Sequence, residues 1–202
     1  MNAVLKLANV SNDAASDIAM SEPWSCEVEI TGNCPLLFHR WSNEAIAEKA
    51  KARKGSAVKK TDNVESFVYR DDQGELCLPG EYLRMSIVNA AKFKQDPRSP
   101  RKSAMDLFKA AIIPLTELAS LGAVDWDFLD MRRVVVQRNG VTRSRPGMKA
   151  GWKATVQLLV NLPEYIDQPF LLDVIGTAGK LIGVGDFRPT YGRFDVTGFK
   201  RC

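Results

Sequence analysis

An α+β fold built on a ferredoxin-like βαββαβ sheet is what this 202-residue sequence predicts, and three observations predict it. Residues 24–31 alternate, with Trp24, Cys26, Val28 and Ile30 on one face and Ser25, Glu27, Glu29 and Thr31 on the other, the two-residue period of a half-buried strand. Residues 152–162 alternate in the same way through Trp152, Ala154, Val156, Leu158 and Val160. A helical pattern follows each of these strands. With insertions at about 41–76 and 95–130 set aside, the order that remains is strand, helix, strand, strand, helix, strand. A hydrophobic content of 45% and a charged content of 26% suit one well-cored domain over 23–202, preceded by a polar, flexible arm over 1–22 that could order on a neighbouring subunit.

Each element has a local reason. Thr31-Gly32-Asn33 interrupts the first strand, and Pro35 to Arg40 resumes an extended path. Ser42 caps a helix through about Lys54, with Glu44 in its first turn and Lys51, Arg53 and Lys54 in its last. A mobile basic loop over 55–63 follows, then two short strands at 65–70 and 75–78 joined by the turn Asp71-Asp72-Gln73-Gly74. Leu78-Pro79-Gly80-Glu81-Tyr82-Leu83-Arg84 opens a helix with Leu83, Ile87, Ala90 and Ala91 on one face, and Pro97 and Pro100 prevent its continuation beyond Lys94. Ser103 with Asp106 has the spacing of a capping box for a short helix through Ala110. A strand at 111–115 and an irregular connection over 116–130 precede β-branched residues at 131–138, the next strand. Between it and the strand at 152–162, residues 139–149 form an arginine-rich loop that reaches beyond the sheet. Asp167 caps a helix to about Ala178, closed by Gly179, and 193–199 alternates as the last strand.

The formal net charge is only +4, but its distribution is uneven. Arg132, Arg133, Arg138, Arg143, Arg145, Lys149 and Lys153 fall within 132–153, a segment without an acidic residue. Lys92, Lys94, Arg98, Arg101 and Lys102 stand against Asp96 alone, and the run from 44 to 60 is basic too. Three basic segments with acid elsewhere match the footprint of a polyanion, although a single charge run is ordinarily a solvated surface. Cys26, Cys34, Cys77 and Cys202 are scattered and the one histidine is His39, so neither a metal site nor a Cys–His nucleophile is expected. No apolar run has the length of a membrane span and the first residues lack a signal pattern, which points to a cytoplasmic protein with no membrane partner.

The stretch Gly183-Val184-Gly185-Asp186-Phe187-Arg188-Pro189-Thr190-Tyr191-Gly192-Arg193-Phe194 concentrates glycines, arginines and rings. Glycines allow close backbone approach, arginines offer forked donors to phosphate, and rings such as Tyr191 offer faces to bases. A tight turn with a solvated arginine pair, Arg188 and Arg193, is an equal reading of the same residues. Dinucleotide and phosphate loops are excluded, because they follow a strand and open a helix, whereas this loop follows a helix and opens a strand. No cofactor is expected. Asp62, Asp71 or Asp72 could assist attack by a ribose 2′-hydroxyl, but turn chemistry accounts for Asp71 and Asp72 more simply.

Two of these motifs resemble a known family. Leu78-Pro79-Gly80-Glu81-Tyr82-Leu83-Arg84 is similar to the proline-glycine-x-x-leucine-arginine/lysine opening of the first helix in the RAMP superfamily, the RNA-binding backbone subunits of CRISPR effector complexes. Residues 183–194 resemble its C-terminal glycine-rich loop, and the basic 138–149 segment is placed like its hairpin thumb. The resemblance covers roughly 24–199 and implies an RRM-like sheet holding single-stranded RNA or DNA, with copies joined head to tail in a helical filament alongside other effector subunits. It implies that Gly183, Gly185, Arg188 and Gly192 lie beside the nucleic-acid backbone, that Arg84, Lys92 and Lys94 face the same groove, and that Arg138, Arg143 and Arg145 belong to the thumb. Arg98, Arg101, Lys102, Lys149, Tyr191 and Arg193 complete the candidate nucleic-acid-binding set. The sequence departs from the family where Arg188-Pro189 replaces the usual arginine-glycine step, and it has no clear counterpart of the cleaving aspartate, so no catalytic residue is assigned. The sequence also resembles small bacteriophage proteins encoded outside CRISPR loci. A phage-encoded mimic that docks on a host complex and a RAMP-type RNase are the alternatives.

Overall fold

A computed structural model describes residues 22–41, 47, 50, 51, 63–136 and 139–202, with the backbone alone for 134–136 and 139–141. The chain order is β1 (Trp24–Gly32), β2 (Leu36–Leu37), a 3-10 turn (Val64–Phe67), β3 (Tyr69–Arg70), β4 (Leu76–Pro79), α1 (Gly80–Ala90), a second 3-10 turn (Ala91–Phe93), β5 (Gln95–Asp96), β6 (Ser99–Ser103) and α2 (Met105–Ala111). It continues through β7 (Ile112–Pro114), β8 (Leu118–Ser120), β9 (Phe128–Val136), β10 (Asn139–Met148), β11 (Lys153–Val160), α3 (Gln168–Leu181) and β12 (Phe194–Arg201). This is an α+β fold of antiparallel sheets with three helices bounded among the described residues.

The main sheet has the order β12-β1-β11-β7, so the first strand lies between two strands from the last quarter of the chain. Alternation explains why one side of it is covered. Cys26, Val28 and Ile30 of β1 and Val156, Leu158 and Val160 of β11 are fully buried, each side chain contributing about 1.5–3 kcal/mol. They lie under α1, through Leu83 and Ile87, and under α3, through Leu171, Val174 and Ile175, and the two helices pack on each other. The opposite face carries Glu27, Glu29 and Thr31 beside Gln157, Thr155 and Lys153, with no aromatic ring from these two strands. These two strands therefore offer bases no stacking platform on that face.

Several expectations are corrected. The strand expected at 131–138 does not join the main sheet; its partner is the adjacent β10, in a separate sheet of order β2-β10-β9, and the three-residue β7 takes the edge beside β11. Residues 139–148 are thus a strand of a long hairpin rather than a loop. Residues 116–130 contain β8 and the start of β9, and 64–67 coil into a 3-10 turn before β3. Gly179 does not close α3. It lies inside the helix, where a Cβ would collide with the Phe194 carbonyl, so it is small because helix and last strand touch there. Gly183 (φ +77°) takes the terminal role, its N–H donating to the Ala178 carbonyl at 2.8 Å. Asp167 caps α3 as expected, accepting from Phe170 N at 2.9 Å. Ser103 makes no capping bond to α2, whose N-cap is Ala104. The arm at 1–22, apart from Glu22, and the helix and loop expected over 42–62, apart from Ala47, Ala50 and Lys51 in helical positions, lie outside the described residues.

Candidate nucleic-acid interface

The loop at 183–193 is held by backbone bonds to a segment near the other end of the sequence. Gly192 N donates to Pro35 O at 2.8 Å, Asp186 N to Leu37 O at 3.0 Å, and Val184 N closes the loop on Gly192 O at 2.8 Å. Residues 34–37 are fixed in turn, because the buried Trp152 indole donates to Cys34 O at 2.9 Å. Close approach explains two glycines. A Cβ on Gly185 would stand 2.6 Å from Leu37 O, and one on Gly192 would overlap the Val184 carbonyl, both at positive φ.

The hairpin β9–β10 meets this loop through two arginines. Arg132 makes a bidentate pair with Asp130 (2.6 Å for both bonds) and donates to the Tyr191 hydroxyl at 2.7 Å. Asp130 first, and Tyr191 second, push the Arg132 guanidinium further above its ordinary range. Arg145, 9% exposed, forms an ion pair through Nε with Asp186 Oδ2, and His39 Nδ1 lies 3.9 Å from the same oxygen. The guanidinium carbons of Arg132 and Arg145 stand 4.6 and 4.5 Å from the centre of the Phe187 ring. Arg132, Asp130, Phe187 and Asp186 form a buttress that the sequence reading did not assign to the site, although Asp130-x-Arg132 is the spacing that puts both side chains on one face of a strand.

Away from the hairpin the loop borders open space. A cleft of about 560 Å³ lies between the end of α1 and the loop, lined by Asn89, Lys92, Leu181, Asp186 and Arg188. A second, of about 430 Å³, lies between Lys180, Pro189, Thr190 and Arg193. Leu181 and Pro189 line both. Lys92, Lys180, Arg188 and Arg193 are exposed, and none is ion-paired with a carboxylate among the described residues. Lys92 Nζ rests 4.8 Å from the Phe93 ring centre. Lys180, absent from the sequence-derived set, is legible only as a basic residue in the last turn of α3.

The remaining expected residues are placed differently. Arg84 donates to Ile112 O and Lys109 O, each at 2.7 Å, and to Glu81 at 2.8 Å, tying α1 to the end of α2. Lys94 pairs with Asp173 of α3 at 2.7 Å. Arg98 makes a bidentate pair with the buried Asp96, whose carboxyl it holds down at about 2. Arg101 and Lys102 are exposed on β6, and Lys149 is exposed just beyond β10. Arg143 is half-buried on β10, and Arg138 lies outside the described residues. Asp71 accepts from Gln73 N and Glu75 N at 3.0 and 2.9 Å, a turn-forming use, while Asp62 lies outside the described residues. Burial pushes the Cys26 thiol up to about 12 and the Cys77 thiol to about 11, which keeps both protonated and unreactive. Among the described residues no group of three His, Cys, Asp or Glu is arranged to hold a metal, and no helix is long and apolar enough to cross a membrane.

No protein-family model and no curated protein matches this sequence. Among solved structures, the chain superposes with a TM-score of 0.53 and 11% identity on a chain of the type III-B Cmr-beta complex bound to cognate target RNA, determined by cryo-EM. The superposition covers 94% of this chain and 64% of that chain, so this chain spans just under two thirds of the length of its structural neighbour. The likeness is one of fold.

Proposed function

We propose that this chain is a RAMP-like subunit that binds single-stranded nucleic acid, RNA in preference to DNA, along the clefts beside the 183–193 loop, and that it does so without cleaving it. The observation that carries the reading is the pair Lys92 and Arg188, exposed and without carboxylate partners among the described residues, on either side of a cleft walled by glycine-rich backbone. Phosphates suit that chemistry, because each one neutralised releases counterions. Lys180 and Arg193 continue the basic lining past Pro189. Fold likeness to a chain of an RNA-bound complex supports the same reading. So does the sheet order, in which we read β1, α1, β7, β11, α3 and β12, taken in sequence, as a ferredoxin-like βαββαβ unit. Copies joined head to tail through a heterologous interface would align these clefts into one track.

Titration of labelled single-stranded RNA and DNA of equal length, repeated at several salt concentrations, tests the proposal. The expected result is tighter binding of RNA, a steep fall with salt, an intact strand after incubation, and filaments on long RNA by electron microscopy. Absence of binding to any single strand at low salt would overturn it.

A further inference from the structure

A third cavity opens off the first. It is a slot of about 340 Å³ between one side of α1 and the 183–193 loop, and it shares Asn89, Gly185, Asp186 and Arg188 with the Lys92 cleft. A volume at the lower end of the range for small-molecule sites fits one ring system rather than a run of stacked bases. Tyr82 and Met85 of α1 and the His39 imidazole supply its flat and apolar lining. Met85 is an exposed apolar side chain, 37% accessible, on a helix whose other large apolar residues are buried or half-buried. A thioether beside rings is a favourable neighbour for a further ring.

The polar groups of the slot are mostly acceptors. Asn89 donates one Nδ2 hydrogen to Met85 O at 2.8 Å, which turns the amide so that its Oδ1 can accept. Glu81 receives Arg84 through Oε1, leaving the second carboxylate oxygen, and Asp186, whose Oδ2 is taken by Arg145, adds only its other carboxylate oxygen. Arg188 stands where slot and cleft meet. A phosphate-type cleft joined through an arginine to a ring-lined slot is the arrangement that a nucleotide requires.

Building on the function proposed above, we propose that this slot holds one nucleobase turned out of the bound strand, and that it prefers bases with an exocyclic amino group. Adenine and cytosine present such an amino donor, whereas uracil presents a carbonyl acceptor in the corresponding place. Stacking on Tyr82 and Met85 supplies the affinity, and the acceptors of Asn89, Glu81 and Asp186 supply the choice.

The test uses the full chain with oligo(A), oligo(C) and oligo(U) RNA of one length at one low salt concentration. Oligo(A) and oligo(C) are expected to bind about tenfold more tightly than oligo(U), the range of one hydrogen bond gained or lost. The double substitution Met85→Ala and Asn89→Leu is expected to remove that difference, lowering oligo(A) and oligo(C) binding more than oligo(U) binding, while leaving the melting temperature unchanged. Equal binding of the three strands by the wild type, tighter binding of oligo(U), or a preference that survives in the double variant overturns the slot alone. Failure to bind any of them overturns the slot and the proposed function together.

Discussion

Arg132 and Arg188 both reach the 183–193 loop, and they are used differently. Arg132 has Asp130 two residues away on its own strand, accepts no freedom beyond that pair, and spends its remaining reach on Tyr191 and the Phe187 face. Arg188 lines a cleft with Asn89, Lys92, Leu181 and Asp186, has no carboxylate paired to it among the described residues, and stays exposed. A guanidinium with a carboxylate in bidentate reach becomes a fixed strut, and one without stays available to an outside anion. The basic residues divide along the same line. Arg84, Lys94, Arg98 and Arg145 brace the chain, whereas Lys92, Lys180, Arg188 and Arg193 border the clefts.

The sharpest break of this comparison is on the bracing side. Arg145→Met leaves Asp186 without its cation and is expected to cost about 3–4 kcal/mol in urea denaturation, with the Arg145→Met, Asp186→Asn double variant recovering part of the loss. Gly192→Ala forces a Cβ into the Val184 carbonyl at φ +72° and is expected to cost roughly 2–3 kcal/mol by the same measurement. On the open side, Arg188→Ala is expected to change stability by less than about 0.5 kcal/mol. It should weaken single-strand binding about tenfold and lower the salt slope by about one. A stability loss in Arg188→Ala equal to that of Arg145→Met would erase the division. The last test is at Asp96. Arg98 holds this carboxyl at about 2, below its ordinary 3.8, so the folded chain takes up the proton less readily than the unfolded one. The pair's contribution is therefore complete above about pH 4 and lost as pH falls through 2. The melting-temperature gap between wild type and Asp96→Asn should shrink across that window.

What the sequence made legible were the elements with a local cause. The alternation of β1 and β11 follows from one covered face, and the Asp167 cap of α3 from a side chain that reaches its own helix. Partnership was not legible. Nothing in Ile112-Ile113-Pro114 says that so short a strand displaces 131–138 from the main sheet, because that choice is made by α1 and α2 bringing it beside β11. The role of Gly179 depends on Phe194, fifteen residues on, and the role of each arginine depends on which carboxylate the fold delivers to it. The loop was therefore located from sequence, while its bracing by β9–β10 and the slot beside α1 were not.

The order β12-β1-β11-β7 also bears on how the molecule forms. β1 precedes both of its neighbours, which begin only at Lys153 and Phe194. The carbonyls of Pro35 and Leu37 likewise wait for Gly192 and Asp186. Contacts this distant along the chain make for slow closure. The innermost strand is therefore the one with the longest interval of exposed edges, and the clefts beside the loop exist only after that interval has ended.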